Sequence, residues 1–373
     1  LRGAGREIFD FGIGDPQEET PEFIRKALAE HIPKVSQYPL SQGSLDFRMA
    51  CAHWCKHRLN ASIDPATQVI SSNGSKEAIF HIPHVLLNSG SARRMVAFPD
   101  PGFPVYRNST LLSGGVPYQY TLDPAKNYVF DPLSIPKDVL PQMAAVWISY
   151  PHNPTGALLP RADALRIYKW AVENDIVLLS DECYVDMYFP NTEKPVSLLE
   201  VASENAYRNL LAFFSLSKRS GMTGYRSGFV AGDARLISAF AKYRPNVGVG
   251  TPEFVQRAAI AAWGDDRHVA ERNQIFANKR RIVETFLLNN GFTVLPSTAT
   301  FYVWIKAPEG FATGEEYCEA LAASTGIVAT PGDALGDSSK QWFRLALVPE
   351  AAKIEQCVGL WQNAISTGAL KRG

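Results

Sequence analysis

Through the central part of the chain, short apolar runs alternate with longer stretches in which apolar side chains recur every three or four positions. Residues 95–98, 144–149, 176–180, 210–214 and 228–231 are apolar, bounded by turn formers and too short for buried helices, and so predict strands. Residues 75–87 and 161–174 carry the spacing of amphipathic helices. Alternating strand and helix predicts crossover connections and a mostly parallel sheet covered by helices on both faces. Ligands of such sheets lie beyond the carboxyl ends of the strands. The polar residues that follow each apolar run are therefore the ones to read for chemistry.

Near Thr251 the texture changes. Residues 252–290 read as one long, charged helix closed by Gly291 as a C-cap, followed by a strand at 301–305, a helix at 314–325 and a strand at 342–347. This predicts a large domain over 38–255 and a smaller α+β domain over 256–373, with residues 1–37 packing on the smaller one.

Composition narrows the class. The 373 residues are 46% hydrophobic and 20% charged, ordinary for a folded protein with a sizeable core. Thirty-seven basic residues balance 37 acidic ones, so there is no electrostatic footprint for nucleic acid. No apolar run approaches the about 20 residues of a membrane-spanning helix, and no membrane partner is expected. The first residues lack the apolar core of a signal peptide and do not begin with Met, so upstream residues are expected to be missing. Five scattered cysteines predict a reducing compartment, the cytoplasm, and not a disulfide framework. Cys51, His53, Cys55 and His57 invite a metal reading, but as two i,i+4 pairs on a helix they face different sides. An amphipathic helix with buried thiols accounts for them, and no metal is expected.

The densest candidate chemistry follows the run 210–214: Ser215-Leu216-Ser217-Lys218-Arg219-Ser220-Gly221-Met222-Thr223-Gly224-Tyr225-Arg226. A lysine past a strand is by default a solvated end residue. A hydroxyl, an amine and a guanidinium clustered at one strand exit can instead hold an aldehyde cofactor and its phosphate. Asn73-Gly74-Ser75-Lys76 opens a helix, which suits either a plain N-cap or a phosphate. Asp100-Pro101-Gly102-Phe103-Pro104-Val105-Tyr106 follows a strand and offers a flat apolar ring. In Pro151-His152-Asn153-Pro154-Thr155-Gly156, two prolines and a glycine fix the backbone around the Asn153 amide. Asp181-Glu182-Cys183-Tyr184 places a carboxylate at a strand end. Arg344 lies in the strand pattern Phe343-Arg344-Leu345-Ala346-Leu347, where a surface-facing arginine is the plain alternative to a carboxylate clamp. Near the start lie Phe11-Gly12-Ile13-Gly14-Asp15-Pro16 and Tyr38-Pro39-Leu40-Ser41-Gln42-Gly43.

In this order, and over essentially the whole chain, these stretches resemble the class I/II aminotransferases, enzymes of pyridoxal-phosphate (PLP) fold type I. The resemblance implies an α/β fold with a large domain, whose mostly parallel sheet is sandwiched by helices, and a smaller α+β domain. It implies that Lys218 carries PLP and, once freed, acts as the general base. Ser215 and Arg226 would bind the phosphate, with Gly74, Ser75 and Lys76 contributing mostly backbone N–H groups. Phe103 would stack on the pyridine ring, and Asp181 would pair with its nitrogen. Asn153 and Tyr184 would donate to the phenolic oxygen. Arg344, Asn153 and the Gly14 backbone would meet the substrate, with Tyr106 a weaker candidate for lining the pocket. Tyr38 would reach the phosphate of a partner subunit, which implies a homodimer with shared active sites. Gly221 departs from the asparagine common in related sequences; it adds backbone freedom after the lysine but removes no catalytic group.

The implied activity is transamination between an amino acid and a 2-oxo acid by a ping-pong mechanism. The wording of 215–226 and of Thr300-Phe301-Tyr302-Val303-Trp304-Ile305 is closest to the diaminopimelate branch, which includes N-succinyl-diaminopimelate and LL-diaminopimelate aminotransferases. That branch implies glutamate as donor and a place in lysine biosynthesis. Aspartate- and alanine-type aminotransferases share much of the same wording. A carbon–sulfur β-lyase would use the same lysine and cofactor. A PLP-sensing DNA-binding regulator would need an added basic domain, and a non-catalytic binding protein would not need Lys218.

Overall fold

The computed structural model describes residues 7–88 and 90–373. In chain order its strands are β1 (Phe9–Asp10), β2 (Val69–Ser72), β3 (Met95–Asp100), β4 (Val116–Thr121), β5 (Met143–Ser149), β6 (Val177–Asp181), β7 (Leu210–Ser215), β8 (Gly228–Gly232), β9 (Tyr302–Lys306), β10 (Ile327–Val328), β11 (Thr330–Pro331) and β12 (Trp342–Ala346). Seven of them form the main sheet in the order β2-β8-β7-β6-β5-β3-β4. Strands β3 to β7 run parallel, whereas β8 is antiparallel to both β7 and β2. Strand β4 has no clear sequence signal, because it is an edge strand, largely solvent-facing and carrying Pro117.

Side chains alternate across this sheet as strand geometry requires. Val146, Ile148, Leu178, Ala212 and Phe214 face one core with Trp54, Ile167 and Trp263. Trp147, Leu179, Leu211 and Phe213 face the other, against Ile79 and Ile82 of the helix Ser75–Leu86 and Phe240 of the helix Ala234–Tyr243. The interior strands read as continuous apolar runs because both faces are covered. A third core joins the antiparallel sheet β11-β12-β9 to the helices Gly314–Thr325 and Ala351–Ser366, and takes in Phe9 and Phe11.

Residues 252–290 are not one helix. The segments Glu253–Trp263 and Arg267–Asn289 are separated at Gly264, and the Asp265 carboxylate accepts the His268 N–H at 3.0 Å in the second helix's first turn. The break moves the chain between cores: Ala258, Ala259, Ala262 and Trp263 pack in the first, Phe276, Val283, Phe286 and Leu287 in the third. The described part of the first 37 residues, read as packing on the smaller unit, is also divided. Phe9 and Phe11 join the third core, while Ile24 of the helix Glu22–Glu30 joins the first. Among the described residues no helix is long and apolar enough to cross a membrane.

Candidate active site

Strands β5, β6 and β7 end side by side, with Ser149 in register with Asp181 and Asp181 with Phe213. The residues just past these ends line a cavity of about 710 Å³ whose opposite wall comes from the N-terminal segment and the smaller unit.

Asp181, at the end of β6, is buried, and its Oδ2 accepts the Tyr106 hydroxyl at 2.7 Å. Burial pushes its carboxyl above the ordinary range, against the hydrogen bonds that favour the anion. Among the described residues no cation is paired with it. Tyr106 is itself fixed by stacking on Trp147, with centroids 4.8 Å apart and planes 16° apart. Its sequence reading as a minor pocket residue understated it, because the Asp181 contact spans 75 positions.

Lys218 projects from the short helix Leu216–Arg219 and donates to the Gly14 carbonyl. Burial depresses its amine below the usual lysine range; Cys183 and Asp15 oppose the shift, and Lys76 and Arg226 reinforce it. An amine so placed is easier to deprotonate, as a nucleophile or base requires.

At one end of the cavity Gly74 precedes the helix Ser75–Leu86 with φ +78, and a Cβ there would lie 2.6 Å from the Arg226 guanidinium. Arg226 adopts φ +56 and donates to Thr223 O at 2.7 Å and Asn73 O at 3.1 Å. The Ser215 hydroxyl accepts the Ser217 N–H at 3.1 Å. A guanidinium, serine hydroxyls and the first N–H groups of a helix thus converge where an anion would sit. The Lys76 ammonium lies 5.5 Å from the centroid of the Phe103 ring, and both line the cavity.

Arg344 on β12 is not a surface arginine; it is 7% exposed. Its Nη1 donates to Asn153 Oδ1 at 2.8 Å, and its Nη2 to Gly12 O at 2.7 Å and Thr330 Oγ1 at 3.2 Å. The guanidinium carbon sits 4.2 Å from the Tyr302 ring centroid. The Tyr302 hydroxyl shares a 2.8 Å hydrogen bond with that of Tyr184, whose phenol is held well above its usual range, mainly by burial. Tyr302 and Cys183 also line the cavity, and sequence reading assigned neither a role; Tyr302 sat inside a motif read only for its wording.

Tyr38 is fully exposed and does not line the cavity. Gly221 has φ +65, and a Cβ on it would lie 2.8 Å from Nη1 of the buried Arg272, which occupies the space beside the lysine turn. The Cys51–His57 stretch lies on the helix Leu45–Leu59 with both thiols buried. Among the described residues no group of three or more His, Cys, Asp or Glu could hold a metal ion.

The donor set fits PLP: a buried carboxylate lacking a cation, a lysine of depressed basicity and an anion cradle that glycine keeps open, around one cavity. A family model described as aminotransferase class I and II matches residues 6–359. An LL-diaminopimelate aminotransferase of Aquifex aeolicus is 36% identical over 94% of this chain and 90% of its own. One from Nitratidesulfovibrio vulgaris is 34% identical, covering 96% and 92%. The crystal structure of an aminotransferase from Neisseria meningitidis superposes with a TM-score of 0.89 at 31% identity, over 96% of this chain and 93% of its own. The chain belongs to the class I and II aminotransferases, a PLP-dependent family.

Proposed function

We propose that this aminotransferase acts on LL-diaminopimelate, exchanging its amino group with 2-oxoglutarate and glutamate in a ping-pong sequence that serves lysine biosynthesis. Support for the substrate comes from the LL-diaminopimelate aminotransferases, which match nearly end to end at 32–36% identity. The observation that carries the site is the meeting of Lys218, Asp181, Asn153 and Arg344 around one cavity.

When bound, PLP supplies the aldehyde that takes up the substrate nitrogen and the ring that accepts electrons from a broken Cα bond. Lys218 would hold it, and its amine is placed to act as the base for the Cα proton. The Asp181 carboxylate, oriented by Tyr106, would keep the pyridine nitrogen protonated. Arg226, Ser215, Ser75 and the N–H groups after Gly74 hold the phosphate, with Lys76 adding charge at that end. Phe103, Asn153 and Tyr184 line the same cavity, where Phe103 would pack against the ring and Asn153 and Tyr184 would donate to the phenolic oxygen. The Arg344 fork takes the substrate α-carboxylate, with the Gly14 backbone beside it.

The assembly is a homodimer. Ile32, Val35, Tyr38, Leu40, Leu45 and Met49 are all exposed within 18 positions, an apolar stretch that a second copy would cover while bringing Tyr38 to its phosphate end. The division into two domains, drawn from the sequence at 38–255 and 256–373, stays part of this proposal; the passage of the chain from one core to the other at Gly264 favours a boundary a few residues later. The test of substrate is direct: supply LL-diaminopimelate and 2-oxoglutarate and assay glutamate. Formation of glutamate with saturation in both substrates supports the reading. Turnover of aspartate or alanine but not LL-diaminopimelate would assign the chain to another branch.

A further inference from the structure

The cavity has a second device, built where the large sheet meets the smaller unit. Asp100, the last residue of β3, is buried at 4% exposure, and its side chain faces the segment 332–339 of the smaller unit. The Ser338 hydroxyl donates to Asp100 Oδ1 at 2.9 Å, and the Ser338 N–H lies 3.2 Å from Oδ2 and 3.3 Å from Oδ1. Two residues on, the Gly102 N–H donates to Leu335 O at 2.8 Å. Gly336 passes so close that a Cβ on it would run into the Asp100 carboxylate and lie 2.9 Å from Pro101 Cα. Three points of contact therefore tie two stretches more than 230 positions apart.

Both stretches end in the cavity. Past Asp100 the turn carries Phe103 into the helix Val105–Leu112, which bears the Tyr106 that holds Asp181. The Pro101 carbonyl is met at 3.2 Å by Nε2 of His152, the neighbour of Asn153. Leu335, bonded to this turn through its carbonyl, also lines the cavity.

We propose that Asp100 is a positioning residue: it latches the 332–339 segment onto the Phe103 turn, so that Leu335 closes the cavity over the bound amino acid. It touches neither substrate nor cofactor, and acts through Phe103 and Leu335. The kinetic half of this inference rests on the aminotransferase reading above; the latch itself does not.

The experiment pairs amide hydrogen exchange of the protein with no amino acid added, followed on peptides covering 98–104 and 332–340, with steady-state kinetics of the PLP-loaded enzyme. The variants are Asp100→Ala, Asp100→Asn, Ser338→Ala and Gly336→Ala. Asp100→Ala and Gly336→Ala are expected to speed exchange in both peptides together. They should raise KM for the amino acid about five- to tenfold while kcat stays within about twofold. Asp100→Asn keeps an acceptor oxygen and should fall between these variants and wild type, and Ser338→Ala, which keeps its N–H bond, should have a smaller effect of the same kind. Should Asp100→Ala fail to fold, Gly336→Ala opens the latch from the other segment and decides the question. Unchanged exchange in either peptide would overturn the latch. Faster exchange with unchanged KM, or a fall in kcat with PLP loss at constant KM, would overturn the positioning role. Absence of transamination by the wild type would instead count against the functional reading, leaving the exchange result to judge the latch.

Discussion

The wall of the cavity supplied by the large sheet takes its groups from neighbouring strand ends. Ser149, Asp181 and Phe213 are in register across β5, β6 and β7, and Lys218 stands three residues past the last residue of β7. The facing wall is gathered from afar: Gly12 and Gly14 near the start, and Tyr302, Thr330, Leu335 and Arg344 near the end. It is tied to the sheet side by side-chain hydrogen bonds such as Arg344 to Asn153, across 191 positions. The first wall inherits its geometry from a packed sheet. The second depends on a few polar contacts between segments far apart in the chain. In the function proposed above, cofactor chemistry falls to the first wall and substrate capture to the second.

Substitutions on the sheet wall should therefore abolish chemistry, and those opposite should weaken substrate binding. Lys218→Ala is expected to cost about 10³-fold or more in kcat and to remove the visible absorption band of the loaded protein, measured by single-turnover assay and spectrum. Asp181→Asn, which keeps the shape but not the charge, should lower kcat by about 10²-fold or more with little change in KM. A normal kcat in either variant would break the comparison. On the facing wall, Arg344→Lys loses the planar fork and should reduce kcat/KM about 10- to 100-fold, mainly through KM, with the cofactor spectrum unchanged. A changed spectrum would mean that the two walls are not separable.

A stability effect sharpens the sheet side. Glu182, next to Asp181, is buried and accepts from Ser180 Oγ at 2.8 Å and Leu198 N at 2.9 Å; burial raises its carboxyl from 4.5 to about 7. The folded state thus keeps a proton that the unfolded chain releases near pH 4.5. Between these values the native protein binds more protons, so stability falls as pH rises through the window. Glu182→Gln should flatten this slope, an effect on the order of 1–3 kcal/mol above pH 7 in denaturant titrations. An unaltered slope would show that Glu182 ionises normally in the fold. Smaller still, Gly221→Asn must meet both φ +65 and the Arg272 guanidinium. It should cost about 1 kcal/mol of stability, and Arg272→Ala in the same chain should return part of it. If the second change returns nothing, strain at φ +65 alone sets the cost.

The two walls also differ in how far they were legible. Groups on the sheet wall sit within a few positions of an apolar run, so the run locates the strand end and the motif supplies the chemistry, as for Asp181 after 176–180 and Lys218 after 210–214. The facing wall is written in contacts between distant residues. Arg344 could be named from its motif, but nothing local distinguishes a buried arginine bonded to Gly12 and Asn153 from a solvated one. Tyr302, Arg272 beside Gly221 and the Asp100–Ser338 contact have no local signal at all. The break at Gly264 went unread for a related reason: the charged surface pattern continues through it, and only the exchange of cores across it reveals two helices.

The most direct test of the central claim is a single half-reaction. PLP-loaded protein is mixed with LL-diaminopimelate or L-glutamate without an acceptor, and the cofactor spectrum and the 2-oxo acid are followed together. The account predicts conversion of the cofactor to its amine form with one 2-oxo acid released per site, and then no further turnover. Continued release of pyruvate and ammonia from cystathionine, with no stoichiometric half-reaction from either amino acid, would contradict it and make the protein a lyase.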